Sequence, residues 1–167
     1  QNIILKKSID AQIMDLADEI AYAAHDLEDA LKSGFLTLPE LMYEFHISSE
    51  YQGAEHIFNQ IAKQARDLAF TATRLETSEE YSFIMRKEIT SIIVHDLIKD
   101  IKVIEDDNGC RTLGFEKLNN LSQGLKKLVF KAISRKKDVF LYEKQGERVI
   151  KGLFEVYMDN NFNKDLS

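Results

Sequence analysis

A long helical pattern with two unlike faces runs from about residue 8 to residue 33 and fixes the starting point of the fold. At 100° per residue, one stripe of this pattern is apolar and predicts a face that packs on a core: Ile9, Ile13, Leu16, Ile20, Leu27 and Leu31. The opposite stripe advances in steps of three and four residues and is acidic, with one phenol in its middle: Asp15, Asp18, Tyr22, Asp26 and Asp29. Ser8 can cap this helix at its start, and Gly34 can close it at its end.

The acidic stripe lowers the stability of the helix that carries it. Like charges at these spacings destabilise a helix by roughly 0.2–0.5 kcal/mol per pair, and no Lys or Arg lies between residues 8 and 31. A solvated surface is the common reason for an acidic face. In this helix, Tyr22 within the stripe and the lack of a neutralising cation favour an external cation, with a divalent metal as the first candidate.

Further helices with few irregular links are predicted for the rest of the chain, in keeping with one Pro and seven Gly in 167 residues. The capping-box spacing of Thr37 and Glu40 begins a short helix that ends near Phe45, and that of Thr77 and Glu80 begins a long one. Three more helices are predicted at about 51–74, 120–135 and 138–160. The first of these turns one side inward: Ala54, Ile57, Phe58, Ile61, Ala65 and Leu68.

The segment 103–113 is open between a small β-hairpin and an irregular loop, because Asp107-Asn108-Gly109 is a turn signal between two short apolar runs. The prediction is therefore an all-α fold, with residues 1–167 as a single unit and a hairpin near 103–113 as one alternative.

The long helix that begins near Thr77 is apolar around much of its circumference, which exceeds the one stripe that a surface helix needs. Either other helices of the chain cover it on two sides, or another subunit or a missing N-terminal part does. The residues concerned are Ile84, Met85, Ile89, Ile92, Ile93, Val94, Leu97, Ile98 and Ile101.

The composition fits a cytoplasmic protein. A net charge of −6 gives no general attraction to nucleic acid or to an anionic membrane. No apolar run approaches the ~20 residues that span a bilayer, and a lone Cys110 forms no internal disulfide. The basic cluster at 126–137 is open between a solvated face, a subunit contact and a nucleic-acid contact, of which the first is favoured. Without interleaved exposed aromatics or a known binding motif, the sequence does not support nucleic-acid binding.

Several segments of the chain resemble one enzyme family in the right order. Leu16-Ala17-Asp18-Glu19-Ile20-Ala21-Tyr22, followed by His25-Asp26-Leu27-Glu28-Asp29-Ala30, resembles the last metal-ligand helix of the deoxyguanosine triphosphate triphosphohydrolases, which are members of the HD-domain superfamily. Weaker similarities follow at 83–86, 125–130, 142–150 and 153–157. The resemblance implies a helical HD-type fold that hydrolyses a nucleotide with the help of a divalent metal, Mg²⁺ or Mn²⁺.

The family's remaining metal ligands, a His and a His-Asp pair, lie upstream of this helix. The chain is therefore interpreted as the C-terminal part of a longer enzyme, with no catalytic residue of its own and at most weak metal binding. His25-Asp26 and His95-Asp96 look like the superfamily signature, but each lies inside a helical pattern. Neither they nor His46 and His56 are predicted to bind metal, because no two His residues lie three to five apart.

The resemblance also implies a role for each of five residues. Asp18 is the metal ligand, Tyr22 packs against the sugar, and Asp26 accepts a hydrogen bond from the 3′-hydroxyl. Arg86 lies on the phosphate side, with a surface arginine in a charge network as the equal alternative. Arg148 reaches the nucleotide from a neighbouring subunit, with a surface arginine as the favoured alternative. The resemblance also implies a homo-oligomer, which favours cover of the long helix near Thr77 by another subunit or by a missing N-terminal part.

The predicted function is part of a metal-dependent enzyme that hydrolyses dGTP, or dNTPs in general, to deoxynucleoside and inorganic triphosphate. The alternative is a non-catalytic helical interaction module, whose acidic face docks a basic partner.

Overall fold

The computed structural model describes residues 7–72, 75–105 and 111–158, and within them the chain forms six helices and one small antiparallel sheet. The predicted all-α fold is confirmed. The elements are α1 (Ile9–Lys32), α2 (Leu38–Ile47), α3 (Gln52–Thr71), α4 (Ser78–Asp100), β1 (Ile101–Glu105), β2 (Arg111–Phe115), α5 (Asn119–Ser134) and α6 (Lys137–Met158).

The predicted helix starts follow from local capping. The hydroxyl of Ser8 accepts a hydrogen bond from the Ala11 amide at 3.2 Å, and both capping boxes are formed, at Thr37 and at Thr77. Gly34 has φ of 72°, a left-handed conformation that suits glycine at the end of α1. Each side-chain cap satisfies backbone amides that have no partner inside the helix, which is why these signals could be interpreted from sequence.

The hairpin is the confirmed alternative for the segment 103–113. Strands β1 and β2 pair antiparallel, with Ile101 opposite Phe115 and Glu105 opposite Arg111. The predicted turn at 107–109 and Cys110 lie outside the described residues. Beyond the hairpin, the carboxylate of Asp100 accepts hydrogen bonds from the amides of Lys117 and Leu118 at 2.9 and 2.7 Å, and so ties the end of α4 to the approach to α5.

The described chain divides into two compact units, one up to Ala132 and one from Ile133 onward. The first holds α1 to α4, the hairpin and most of α5. The second holds α6, an amphipathic helix on which no residue is buried. The single-unit expectation stays a prediction, because compactness within each unit does not test whether they fold independently.

The core of the first unit lies between α1, α3 and α4, with α2 packed on α3. The rings of Phe45 and Phe58 are fully buried and stack with centroids 5.1 Å apart. Helix α4 packs against α1 and α3, so helices of the same chain cover it on two sides, and Ile98 on its remaining side is exposed. The first of the two alternatives for α4 is thus met, and additional cover by another subunit or by a missing N-terminal part stays a prediction.

The predicted core faces need three corrections. Ile9 and Ile13 are 68% and 52% exposed and Leu68 is 42% exposed, whereas Ala23, Ala24 and Ala69 are buried. A helical wheel gives the direction of the apolar face but not what lies opposite it. Ile9 and Ile13 border open grooves between α1 and the hairpin. At the end of α3, the small Ala69, 100° round the helix from Leu68, faces the core. Ile57 and Leu31 are half-buried.

Among the described residues, no helix is both long enough and apolar enough to cross a membrane.

Gly124 of α5 is predicted to be required for packing. A Cβ atom at this position would lie 2.6 Å from Cε1 of the buried Phe45, so Gly124→Ala should lower the free energy of unfolding by about 1–3 kcal/mol. The measurement is equilibrium urea unfolding followed by far-UV circular dichroism.

The matched control is Gly146→Ala on α6, where an added Cβ meets nothing within 4 Å. Alanine there should leave stability unchanged or raise it by about 0.5–1 kcal/mol, because glycine is the poorer helix former. A Gly124→Ala variant as stable as the unmodified chain would contradict the close approach of α5 to α2.

Candidate functional site

The acidic face of α1 is exposed along its whole length. Asp15, Asp18, Tyr22, Asp26 and Asp29 are all solvent-exposed, and the Tyr22 side chain is 53% accessible. Asp18, Tyr22 and Asp26 follow one another at four-residue steps, which advance about 6 Å each along a helix axis. The structure therefore brings these three predicted residues into one row on an open surface.

Cations from the same chain approach this face at two points. Lys7 Nζ lies 2.5 Å from Asp15 Oδ2, and Lys126 Nζ of α5 lies 5.1 Å from the centroid of the Tyr22 ring. The expectation that no cation of the chain relieves the acidic stripe is therefore wrong. Lys7 precedes the helix by two residues, and Lys126 is distant in sequence.

Helix α5 also contacts α1 through a carboxylate of α1 that was not predicted from the sequence. Oε1 of Glu19 accepts hydrogen bonds from Ser122 Oγ at 2.9 Å and from Gln123 Nε2 at 2.8 Å. The Ser122 side chain is fully buried, so it needs a partner of this kind. No sequence signal separates Glu19 from its acidic neighbours, because its role depends on residues about a hundred positions away.

The described residues do not by themselves form a metal centre. No three His, Cys, Asp or Glu side chains within the described ranges are grouped so that they could hold a metal ion. Asp18 is exposed and offers one carboxylate, whereas Mg²⁺ and Ca²⁺ require six or more oxygen ligands, with water among them for Mg²⁺. A divalent metal at Asp18 would therefore need ligands beyond the described part of the chain.

The two predicted arginines belong to helices other than α1. Arg86 is half-buried in the third turn of α4. Arg148 is exposed on α6 in the second compact unit. Two of the four His residues have identified contacts. His46 Nδ1 lies 3.1 Å from Glu55 Oε1, and His25 lines a groove.

That groove has a volume of about 380 Å³ and lies between α1, α4 and the hairpin. Its lining is apolar except for His25, and it includes the exposed Ile13 and Ile98. Three residues of α1 in its lining each directly precede one residue of the row: Ala17 precedes Asp18, Ala21 precedes Tyr22 and His25 precedes Asp26. The groove and the acidic row therefore lie on neighbouring faces of α1.

Three relatives similar to this chain have related names. The chain is 53% identical over 165 residues to deoxyguanosinetriphosphate triphosphohydrolase-like protein 2 of Vibrio cholerae serotype O1, a match that covers 99% of the chain and 40% of that relative. It is 32% identical over 158 residues to a deoxyguanosinetriphosphate triphosphohydrolase-like protein of Shewanella sp. strain ANA-3, and 30% identical over 160 residues to that of Shewanella oneidensis. Each Shewanella match covers 90% of the chain and 33% of the relative.

No protein-family model matches the chain, and no solved structure does. The chain spans about two fifths of the length of the Vibrio relative and a third of the Shewanella ones. The matched segment is a C-terminal part of the Vibrio protein. The helical chain is therefore similar to a C-terminal part of a protein named deoxyguanosinetriphosphate triphosphohydrolase-like. The predicted resemblance to the deoxyguanosinetriphosphate triphosphohydrolases is confirmed.

Proposed function

We propose that the chain is part of a metal-dependent, cytoplasmic triphosphohydrolase that converts dGTP, or dNTPs in general, to the deoxynucleoside and inorganic triphosphate. The observation that carries the proposal is the row of Asp18, Tyr22 and Asp26, exposed on one face of α1. The row lies in a chain that is 53% identical over 165 residues to a protein named deoxyguanosinetriphosphate triphosphohydrolase-like protein 2.

Each residue of the row has chemistry that suits a different part of a nucleotide. Asp18 supplies one carboxylate to a divalent metal whose other ligands come from outside the described residues. Tyr22, one turn on, presents a phenol ring that is large enough to pack against a deoxyribose. Asp26, a further turn on, accepts a hydrogen bond from the 3′-hydroxyl. The spacing of about 6 Å per step matches the distance from a phosphate to its sugar.

Arg86 and Arg148 are proposed to balance the negative charge of the triphosphate, since guanidinium groups form bidentate hydrogen bonds with phosphate oxygens. Arg86 is half-buried on α4, a helix that packs against α1. Arg148 is exposed on α6, and we propose that it serves a site in a neighbouring subunit of a homo-oligomer.

The proposal is tested by incubating dGTP with the full-length protein in Mn²⁺ or Mg²⁺ and assaying deoxyguanosine and inorganic triphosphate. We expect both products from the full-length protein and neither from the 167-residue chain, because one carboxylate holds a divalent ion only weakly. Triphosphate release by the 167-residue chain would overturn its assignment as an incomplete part of the enzyme. Failure of the full-length protein to hydrolyse any dNTP would overturn the proposed function.

A further inference from the structure

We propose that Lys126 is a positioning residue for the sugar-binding part of the site. Its ammonium group holds the Tyr22 ring in the orientation that a deoxyribose packs against. This inference rests on the proposed function, in which Tyr22 contacts the sugar.

Helix α5 contacts the face of α1 through one continuous set of side chains. Ser122 and Gln123 of α5 donate hydrogen bonds to Glu19 of α1. One helical turn further along α5, Lys126 contacts Tyr22, which lies nearly one turn after Glu19 on α1. The hydrogen bonds to Glu19 fix how α5 crosses α1. They thereby place the base of the Lys126 side chain within reach of Tyr22.

The distance and the surrounding charge both favour this contact. An ammonium within about 6 Å of an aromatic centroid is attracted by the negative face of the ring, and here the distance is 5.1 Å. Asp18 and Asp26 lie one turn before and one turn after Tyr22, and their carboxylates attract the same cation. Tyr22 itself is 53% exposed and has little packing to hold it, so a contact from α5 limits how its ring can turn.

The cation also offsets a repulsion that the proposed substrate would meet. A triphosphate is a polyanion, and a stripe of four carboxylates beside its site opposes binding electrostatically. Lys126 brings positive charge to the centre of that stripe, where the nucleotide would lie.

The neighbouring Lys127 makes different contacts and provides a matched control. Lys127 Nζ lies 3.8 Å from Glu50 Oε1 and 6.0 Å from the Tyr51 ring centroid. A side-chain hydrogen bond with Tyr51 raises the pKa of the Lys127 ammonium. Removal of Lys127 therefore changes net charge and helix propensity as removal of Lys126 does, but leaves Tyr22 untouched.

The kinetic test uses the full-length protein with dGTP and GTP as competing substrates. Lys126→Ala should raise KM for dGTP and weaken the preference for dGTP by about two- to fivefold, the factor that an exposed cation–π contact gives. The change in kcat should be smaller. Lys126→Arg should restore KM because a guanidinium makes the same contact, and Lys127→Ala should behave as the unmodified protein.

A second measurement examines the contact in the 167-residue chain itself by NMR. The ε-methylene protons of Lys126 should be shifted upfield by the Tyr22 ring, and Tyr22→Leu should abolish this shift while Tyr51→Leu preserves it. Unshifted Lys126 protons in the unmodified chain would overturn the inference. So would an unchanged KM in Lys126→Ala when Asp18→Asn is inactive. Full activity of Asp18→Asn would instead overturn the proposed role of the α1 face.

Discussion

Asp18→Asn is expected to abolish hydrolysis of dGTP by the full-length protein, with a loss of at least about 100-fold. Asp18 is the carboxylate proposed to bind the metal, and metal ions contribute several kcal/mol to reactions of this class. The fold should be unaffected, because the side chain is exposed and asparagine has nearly the same shape. Triphosphate release, bound metal by mass spectrometry and thermal unfolding are measured on the same preparation.

Asp15→Asn is the matched control for this prediction. Asp15 lies on the same exposed face of α1, but its carboxylate pairs with Lys7, and it stands outside the row of Asp18, Tyr22 and Asp26. It should retain full activity and metal content. Asp26→Asn should mainly weaken selection for the sugar. Near-normal activity of Asp18→Asn would show that the assignment of roles along α1 is wrong.

The features of the fold that could be predicted are those that depend on near neighbours in sequence. The capping boxes at Thr37 and Thr77 each involve residues three positions apart, and both form as expected. The exposure of Ile13 and Leu68 could not be predicted in this way. Their burial depends on what packs opposite each helix face, which is a property of the packed unit and not of either helix alone.

The candidate site shows the same division. The row of Asp18, Tyr22 and Asp26 follows from four-residue spacing on one helix, and the structure places all three on an exposed face. The contact with Lys126 depends on a helix about a hundred residues away and has no periodic signal. The sequence therefore indicates the groups on α1, whereas only the fold shows which groups of α5 hold them.

The acidic face also bears on the alternative of a non-catalytic docking module. A basic partner would need free carboxylates along the stripe, yet Lys7 pairs with Asp15 at its start and Lys126 lies over Tyr22 at its centre. These internal cations reduce the charge available to a basic partner. This reduction favours the proposed nucleotide-binding role of Asp18, Tyr22 and Asp26 over the docking alternative.

Phe45→Ala is expected to cause the largest loss of stability, about 3–5 kcal/mol, because truncation of a buried Phe removes apolar burial and leaves a cavity. Phe45 is fully buried, stacks on Phe58 of α3 and lies against Gly124 of α5. Typical domains are stable by only 5–15 kcal/mol, so this single change removes a large fraction of the total. Urea unfolding followed by circular dichroism measures it.

Phe130→Ala on α5 is the control, since its ring is 73% exposed and its loss should change stability by no more than about 0.5 kcal/mol. Equal effects of the two substitutions would contradict the packing of α2 against α3 and α5. The substitution is expected to affect the candidate site as well. Helix α5 packs on Phe45 at Gly124, and the same helix bears Ser122, Gln123 and Lys126, which contact α1. A cavity at Phe45 that loosens α5 should therefore also weaken the NMR shift of Lys126 over Tyr22, although Phe45 lies on α2 and makes no contact with the acidic face.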